Sequence, residues 1–306
     1  MIITSNFFPS SNKLSDIHYV EYKPEGNVSQ TLIIAHGIGE HGGRYQELAE
    51  KLSSKGISVF AMDFIGHGKS IGPDMMPMYF GENGWDFLVE DLISLNKIVK
   101  EKYPKIPCYL LGFSMGSFVV RTAMAERASE LRIDGAILAG SGYLAPLVAN
   151  VVKKLVAGEA KKCGAYNVSE KVNELAFGNY NKYFKPCRTE YDWLCSNADG
   201  VESYIDDPMT HKFITPGMFM DLLGGMARVN RKDAVDGSKK VPVLLLTGEE
   251  DPVGEFTKGV KKLSKAFKET NPDVELKIYP HSRHDILHDN DKEVVMSDIY
   301  MWLKNH

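Results

Sequence analysis

Long apolar runs are missing from this chain of 306 residues. No stretch approaches the roughly 18 consecutive apolar residues of a membrane-spanning helix. Cysteine is scarce: Cys108, Cys163, Cys187 and Cys195 stand far apart. Neither a disulfide framework nor a metal cluster follows from such spacing, and free thiols in a reducing, cytoplasmic setting are expected. An excess of one charge is also missing. Lys and Arg number 36 against 40 Asp and Glu, a formal net charge of −4, so nucleic acid finds no general electrostatic footprint. Met1 to Ser10, MIITSNFFPS, has no basic region followed by an apolar run, and no signal peptide is expected there. Internal repeats and low-complexity tracts are absent. What remains, 43% hydrophobic and 25% charged residues, is the balance of a globular chain long enough to bury a sizeable core.

Apolar, β-branched runs alternate with helix-length amphipathic segments. Strands are expected at Ile17–Tyr22, Thr31–His36, Ser58–Phe64, Pro107–Phe113, Gly135–Gly140, Val241–Thr247 and Val274–Tyr279. The central runs LIIAH, YLLGF, AILAG and VLLLT are continuously apolar, as a strand covered on both faces requires. The alternation predicts an α/β fold with a mostly parallel central sheet flanked by helices. It breaks between about 143 and 216, where Lys, Asn, Tyr and scattered aromatics replace any strand-like run. That segment is expected to be a helical cap inserted into a core formed by 1–142 and 217–306.

Gly112-Phe113-Ser114-Met115-Gly116 matches G-x-S-x-G between the strand CYLLGF and the helical pattern SFVVRTAMAERASE. A nucleophile elbow needs this context: a strained turn lifts the serine clear of the sheet, and the flanking glycines keep side chains out of it. The turn also sets the next amide at a helix N-terminus, where the dipole favours an oxyanion. Acyl transfer needs two such amide donors. Met115 N–H is one, and Ile38 N–H, in the Gly-rich loop after the strand TLIIA, is the natural second. His36 and His41 flank that loop five residues apart, a spacing that does not suit zinc, and structural hydrogen bonding is expected of both.

In this kind of sheet the triad runs Ser, then acid, then His. Glu249, Glu250 and Asp251 all follow the strand VPVLLLT and compete for the acid. Pro252, which fixes the chain just after it, favours Asp251. His281 and His284 both follow the last strand. His284 is preferred, because several loop residues are needed to reach back over the sheet.

HGIGEHGGRY at His36–Tyr45, DFIGHGKS at Asp63–Ser70, GFSMGS at Gly112–Ser117, GEEDPVG at Gly248–Gly254 and RHDILHD at Arg283–Asp289 together resemble the monoacylglycerol lipase and lysophospholipase group of α/β-hydrolases, also described as serine aminopeptidase S33. RTEYDWLCSN and VESYIDDP are similar to that group's cap. The resemblance implies a triad of Ser114, Asp251 and His284, oxyanion amides at Ile38 and Met115, a helical cap over an acyl tunnel, and no cofactor or metal. The implied partner is a small lipid ester, with monoacylglycerol first and lysophospholipid, thioester or peptide as alternatives. A slow-turnover ligand receptor on the same scaffold is the non-enzyme alternative. Glu40 and Arg44 are candidate contacts for a glycerol-like alcohol, with a loop-stabilising ion pair as the other reading. His288 follows His284 at four residues, where some relatives have a histidine at three. In the cap, Phe177, Tyr180, Phe184, Trp193 and Tyr204 offer tunnel walls. The amphipathic stretch containing Leu147 and Val151 is expected to pack over the tunnel, the alternative being transient contact with a membrane surface.

Overall fold

A computed structural model describes residues 1–306. Eight strands form one sheet: β1 (Ile2–Pro9), β2 (Asp16–Lys23), β3 (Gln30–Ala35), β4 (Ile57–Met62), β5 (Cys108–Phe113), β6 (Gly135–Ala139), β7 (Val243–Gly248) and β8 (Val274–Tyr279). Their order across the sheet is β1-β2-β4-β3-β5-β6-β7-β8. The β1–β2 and β2–β4 pairs are antiparallel, and every other pair is parallel. The α/β-hydrolase expectation holds.

The continuously apolar runs are explained by cover on both faces. Ile33, Leu110, Leu138 and Leu245 point into one core, while Leu32, Ile34, Leu111, Ile137 and Leu244 point into the other. On the first side lie α2 (Gly84–Lys102), α3 (Met115–Glu126), α8 (Lys232–Gly237) and α9 (Lys258–Lys268), through side chains such as Leu92, Val119, Val235 and Leu263. On the second lie α1 (Gln46–Ser53) and α10 (Lys292–Asn305), through Leu48, Leu52, Val295 and Ile299.

The edge strand β1 is an addition to the expected set. Ile2, Ile3 and Phe7 are exposed, and the strand pairs with β2 alone. Because Phe8 alone is buried along it, no alternation of apolar and polar residues marked it.

Between β6 and β7 the chain builds α4 (Pro146–Cys163), α5 (Glu170–Phe177), α6 (Ala198–Asp206) and α7 (Pro216–Val229). α7 packs on α4 and also on α3 and α2, so it joins the inserted helices to the helix that follows Ser114. Ser169, Asn197 and Thr215 cap the N-termini of α5, α6 and α7 through their side-chain oxygens, each satisfying an otherwise unpaired amide. No helix is long and apolar enough to cross a membrane.

Candidate active site

β5 ends at Phe113 and α3 begins at Met115, leaving Ser114 alone in the turn at φ 48° and ψ −116°. A non-glycine residue held at positive φ stores strain, and such strain gathers at functional sites. Two close approaches make the turn possible. A Cβ on Gly112 would lie 2.6 Å from the Gly116 carbonyl, and one on Gly116 would collide with the Ala35 carbonyl.

Three loops at the C-terminal ends of β5, β7 and β8 bring Ser114, Asp251 and His284 together. The Ser114 hydroxyl lies 2.9 Å from His284 Nε2, and His284 Nδ1 lies 3.0 Å from Asp251 Oδ1. A carboxylate can only accept, so the neutral ring carries its proton on Nδ1, and Nε2 accepts the serine proton. Asp251 is wholly buried and takes a second hydrogen bond from the Val253 amide at 2.8 Å. Burial opposes the charged form of His284, but Asp251, Asp285 and Glu40 outweigh it and leave the imidazole above its usual range. Glu249, Glu250 and His281 are exposed. Glu250 is placed near Arg283.

In the loop after β3, Gly37 N–H donates to Glu40 Oε1 at 2.6 Å and Gly39 N–H to His67 Nε2 at 3.2 Å. The Ile38 amide between them and the Met115 amide at the start of α3 make no hydrogen bond. His36 and His41 hold structure. His36 Nε2 accepts from the Phe64 amide at 2.9 Å, and His41 Nε2 donates to Asp207 at 2.8 Å.

Two compartments meet at Ile38, Ser114, Phe177, Trp193 and His284. One is apolar apart from Ser114 and His284, with Leu144, Val152, Tyr180, Phe219, Leu223 and Met226 in its walls. The other has a mixed lining, in which Glu40, Tyr204, His211, Lys212 and Asp285 stand beside Met78, Phe113, Leu194 and Phe213.

Three expected contacts are corrected. Leu147 and Val151 lie on the outer face of α4, 78% and 52% exposed. They do not line the cavity, because α4 carries two apolar stripes and the inner one is Ala149, Val152 and Val156. Arg44 is not free to meet a ligand. Its guanidinium is buried and committed to Glu40 Oε2 and Asp285 Oδ2, each at 3.1 Å, and to the Ser203 carbonyl at 3.3 Å. Of the cap aromatics, Phe177, Tyr180, Trp193 and Tyr204 line one compartment or both. Phe184 instead lies under the guanidinium of Arg283.

The sequence carries no signal that singles out Asp285. It accepts from Arg44 and from His288 Nδ1 at 2.8 Å, while His288 Nε2 donates to the Arg44 carbonyl at 3.0 Å. Both ring nitrogens of His288 face acceptors. Burial disfavours its charge, yet Asp285 raises it above the usual histidine range. Burial likewise opposes ionisation of Asp285, but His288 and Arg44 hold it well below the usual carboxylate range.

The family described as serine aminopeptidase, S33, matches residues 26–291. A monoglyceride lipase homolog of Monkeypox virus is 29% identical over 95% of both chains. The monoglyceride lipase of Rattus norvegicus is 31% identical over 93% of this chain and 85% of its own. Among solved structures, a thermostable carboxyl esterase from Bacillus coagulans superposes with a TM-score of 0.89 at 24% identity, covering 100% of this chain and 99% of that one.

Proposed function

Because the chain belongs to the serine aminopeptidase S33 family of α/β-hydrolases, we propose that it hydrolyses the ester of a single acyl chain, with a monoacylglycerol as the favoured substrate. The coarser statement, a carboxylic-ester hydrolase, rests on the family and on the monoglyceride lipases among its relatives. The finer one rests on one observation: Ser114 stands at the junction of an apolar compartment and a second whose walls add polar groups to apolar ones. The apolar walls of the first suit an acyl chain, and the polar groups of the second suit a small hydroxylated leaving group.

In this reading Ser114 Oγ attacks the ester carbonyl while His284 Nε2 takes its proton. The alkoxide that develops is met by the Ile38 and Met115 amides, whose donors are unspent. His284 then returns the proton to the leaving alcohol, and the acyl group stays on Ser114 until water repeats the sequence. Asp251 holds the ring in the tautomer this requires and stabilises the imidazolium. Residues 143–216 serve as the cap, over a core of 1–142 and 217–306.

The charged groups of the second compartment favour a neutral head group. A phosphate would need free cationic donors, but Arg44 is committed to Glu40 and Asp285. Lys212 is directed to the Asp207 and Thr210 carbonyls and the Thr210 hydroxyl. A substrate amine would need a free carboxylate, but Glu40 and Asp285 are already paired with Arg44 and His288. We further propose that the outer stripe of α4, Leu147, Val148, Val151 and Leu155, with Lys154 beside it, touches a lipid surface transiently, as an amphipathic interfacial helix does.

The test is kcat/KM against acyl length on monoacylglycerols. Burying a methylene is worth about 0.8 kcal/mol, or roughly four-fold in binding. The rate constant should therefore climb by up to about that factor per carbon until the apolar compartment is full. Val152→Asp should flatten the climb. A preference for acetyl esters that ignores Val152→Asp would remove the acyl-chain reading and leave a general esterase.

A further inference from the structure

Ser114 at the head of α3, and Phe118 and Arg121 within it, fall on one stripe of the helix, at spacings of four and three residues. Arg121 is 2% exposed, and no carboxylate pairs with its guanidinium. Burial pushes the group below its ordinary range, and only Tyr143 pulls the other way. Taking a cation out of water without a counter-ion is costly, and an apolar side chain of similar volume would fill the space without that cost. The charge therefore needs a reason beyond packing.

Its donors supply that reason. Nη1 donates to the Gly142 carbonyl at 3.1 Å and to the Ser141 hydroxyl at 3.5 Å. Nη2 donates to Asn230 Oδ1 at 2.6 Å and to the Val229 carbonyl at 3.4 Å. Asn230 Nδ2 in turn donates to the Leu144 carbonyl at 3.0 Å. Ser141, Gly142 and Leu144 lie where the chain leaves β6 for α4, and Val229 and Asn230 lie where it leaves α7 on its way back to β7. One guanidinium thus holds both crossings of the inserted helices. Arginine offers five donors in a rigid fork, which lets one side chain serve two segments at once. The same network reaches the apolar compartment. The ring of Phe118 lies 5.3 Å from the guanidinium carbon, and Phe118 lines that compartment with Leu144, Leu223 and Met226.

We propose that Arg121 is a positioning residue, which pins both crossings of the inserted helices to the helix behind Ser114 and so sets how firmly the apolar compartment grips a long acyl chain. This deepens the single-acyl-chain reading and rests on it. Arg121 meets no substrate itself. It acts through Phe118, through Leu144 and through the end of α7. Without the pin, the α4–α7 segment is free to shift against α3, and the wall loses methylenes that lie far from the ester. The ester itself meets Ser114, His284 and the amides of Ile38 and Met115, none of which Arg121 touches. A short acyl group therefore reacts as before.

The experiment measures kcat and KM separately on monobutyrin and on monolaurin, for the wild type, Arg121→Met, Arg121→Lys, Asn230→Leu and the double variant of Arg121→Met with Asn230→Leu. Arg121→Met should leave kcat on monobutyrin near the wild-type value and raise KM on monolaurin. The laurin-to-butyrin ratio of kcat/KM should fall about ten-fold, the grip on one or two methylenes at roughly four-fold each. Arg121→Lys, which keeps the charge but reaches fewer acceptors, should recover part of the ratio. Asn230→Leu should shift the ratio in the same direction, and the double variant should fall little further than Arg121→Met alone, because the two residues form one network. A general loss of packing would instead lower kcat on both esters alike, and the two losses would add in the double variant. Either of those results, or an unchanged ratio in folded Arg121→Met, overturns the role of Arg121. If Arg121→Met does not fold, Arg121→Lys and Asn230→Leu decide by the same ratio. A wild type with no preference for the longer chain overturns the single-acyl-chain reading, and the role of Arg121 with it.

Discussion

Replacing Asp285 with asparagine removes a charge from the middle of a buried network and leaves its shape almost intact. Asp285 and Arg44 side chains are 5% and 4% exposed. Two carboxylates, Glu40 and Asp285, face one guanidinium and one imidazolium, Arg44 and His288, so the group is neutral when His288 carries its proton. Tyr45 donates to Glu40, and Tyr204 lies against the Arg44 guanidinium. Breaking a buried pair by removing one partner costs about 3–5 kcal/mol. Asparagine keeps some of the hydrogen bonds, so the lower end applies, a fall of roughly 5–10 °C in melting temperature for a chain of this size.

The pH dependence adds a second signature. Asp285 is held below its usual range, so its contribution is present above about pH 4 and is lost only as pH falls through the folded value. His288 is held above its usual range, so its contribution is full below about pH 6.5 and is lost as pH rises through the folded value. Wild-type stability should therefore decline from about pH 6.5 upward. In Asp285→Asn that alkaline decline should shrink, because His288 has lost the charge that held its proton. Asp285 also helps to raise His284, so the acid limb of kcat/KM should move to lower pH in the variant. The assay is thermal unfolding between about pH 5 and 9, paired with a pH–rate profile. Equal melting temperatures and parallel pH profiles for the two proteins would refute the network.

Asp251→Asn should cost turnover by up to roughly 10⁴-fold, as expected when the ring loses its orienting acid. Glu249→Gln and Glu250→Gln should stay near the wild type, and steady-state kinetics on a soluble ester decides between them. The double change Leu147→Asp and Val151→Asp should weaken binding to lipid vesicles, read by co-sedimentation. Turnover of a dispersed short-chain ester should be largely kept, since both side chains point away from the cavity. Unchanged sedimentation would remove the membrane contact.

The fold was legible where burial left a mark. Strands covered on both faces must be apolar throughout, and LIIAH, YLLGF, AILAG and VLLLT announced themselves for that reason. β1 left no such mark, because an edge strand with one buried side chain needs no pattern. The site was legible where backbone geometry restricts residue type. Glycines at 112 and 116 are demanded by the closeness of carbonyls, and the order Ser114, Asp251, His284 follows from loops at the ends of β5, β7 and β8.

Contacts that depend on which way a side chain turns were not legible. Leu147 and Val152 belong to one apolar stretch, yet they point to opposite sides of α4. Arg44 reads equally as a ligand contact or as a loop ion pair with Glu40, until Asp285, distant in sequence, is seen to claim it as well.

The central claim is that Ser114 carries the acyl group during hydrolysis of a single-chain ester. The most direct measurement is the rate of monoacylglycerol hydrolysis by the wild type and by folded Ser114→Ala, with the wild type quenched during turnover and its Ser114 peptide weighed by mass spectrometry. The account predicts an acyl adduct on that peptide and a loss of roughly 10⁶-fold in the variant. A variant within about ten-fold of the wild type, or an adduct on any other residue, would contradict it.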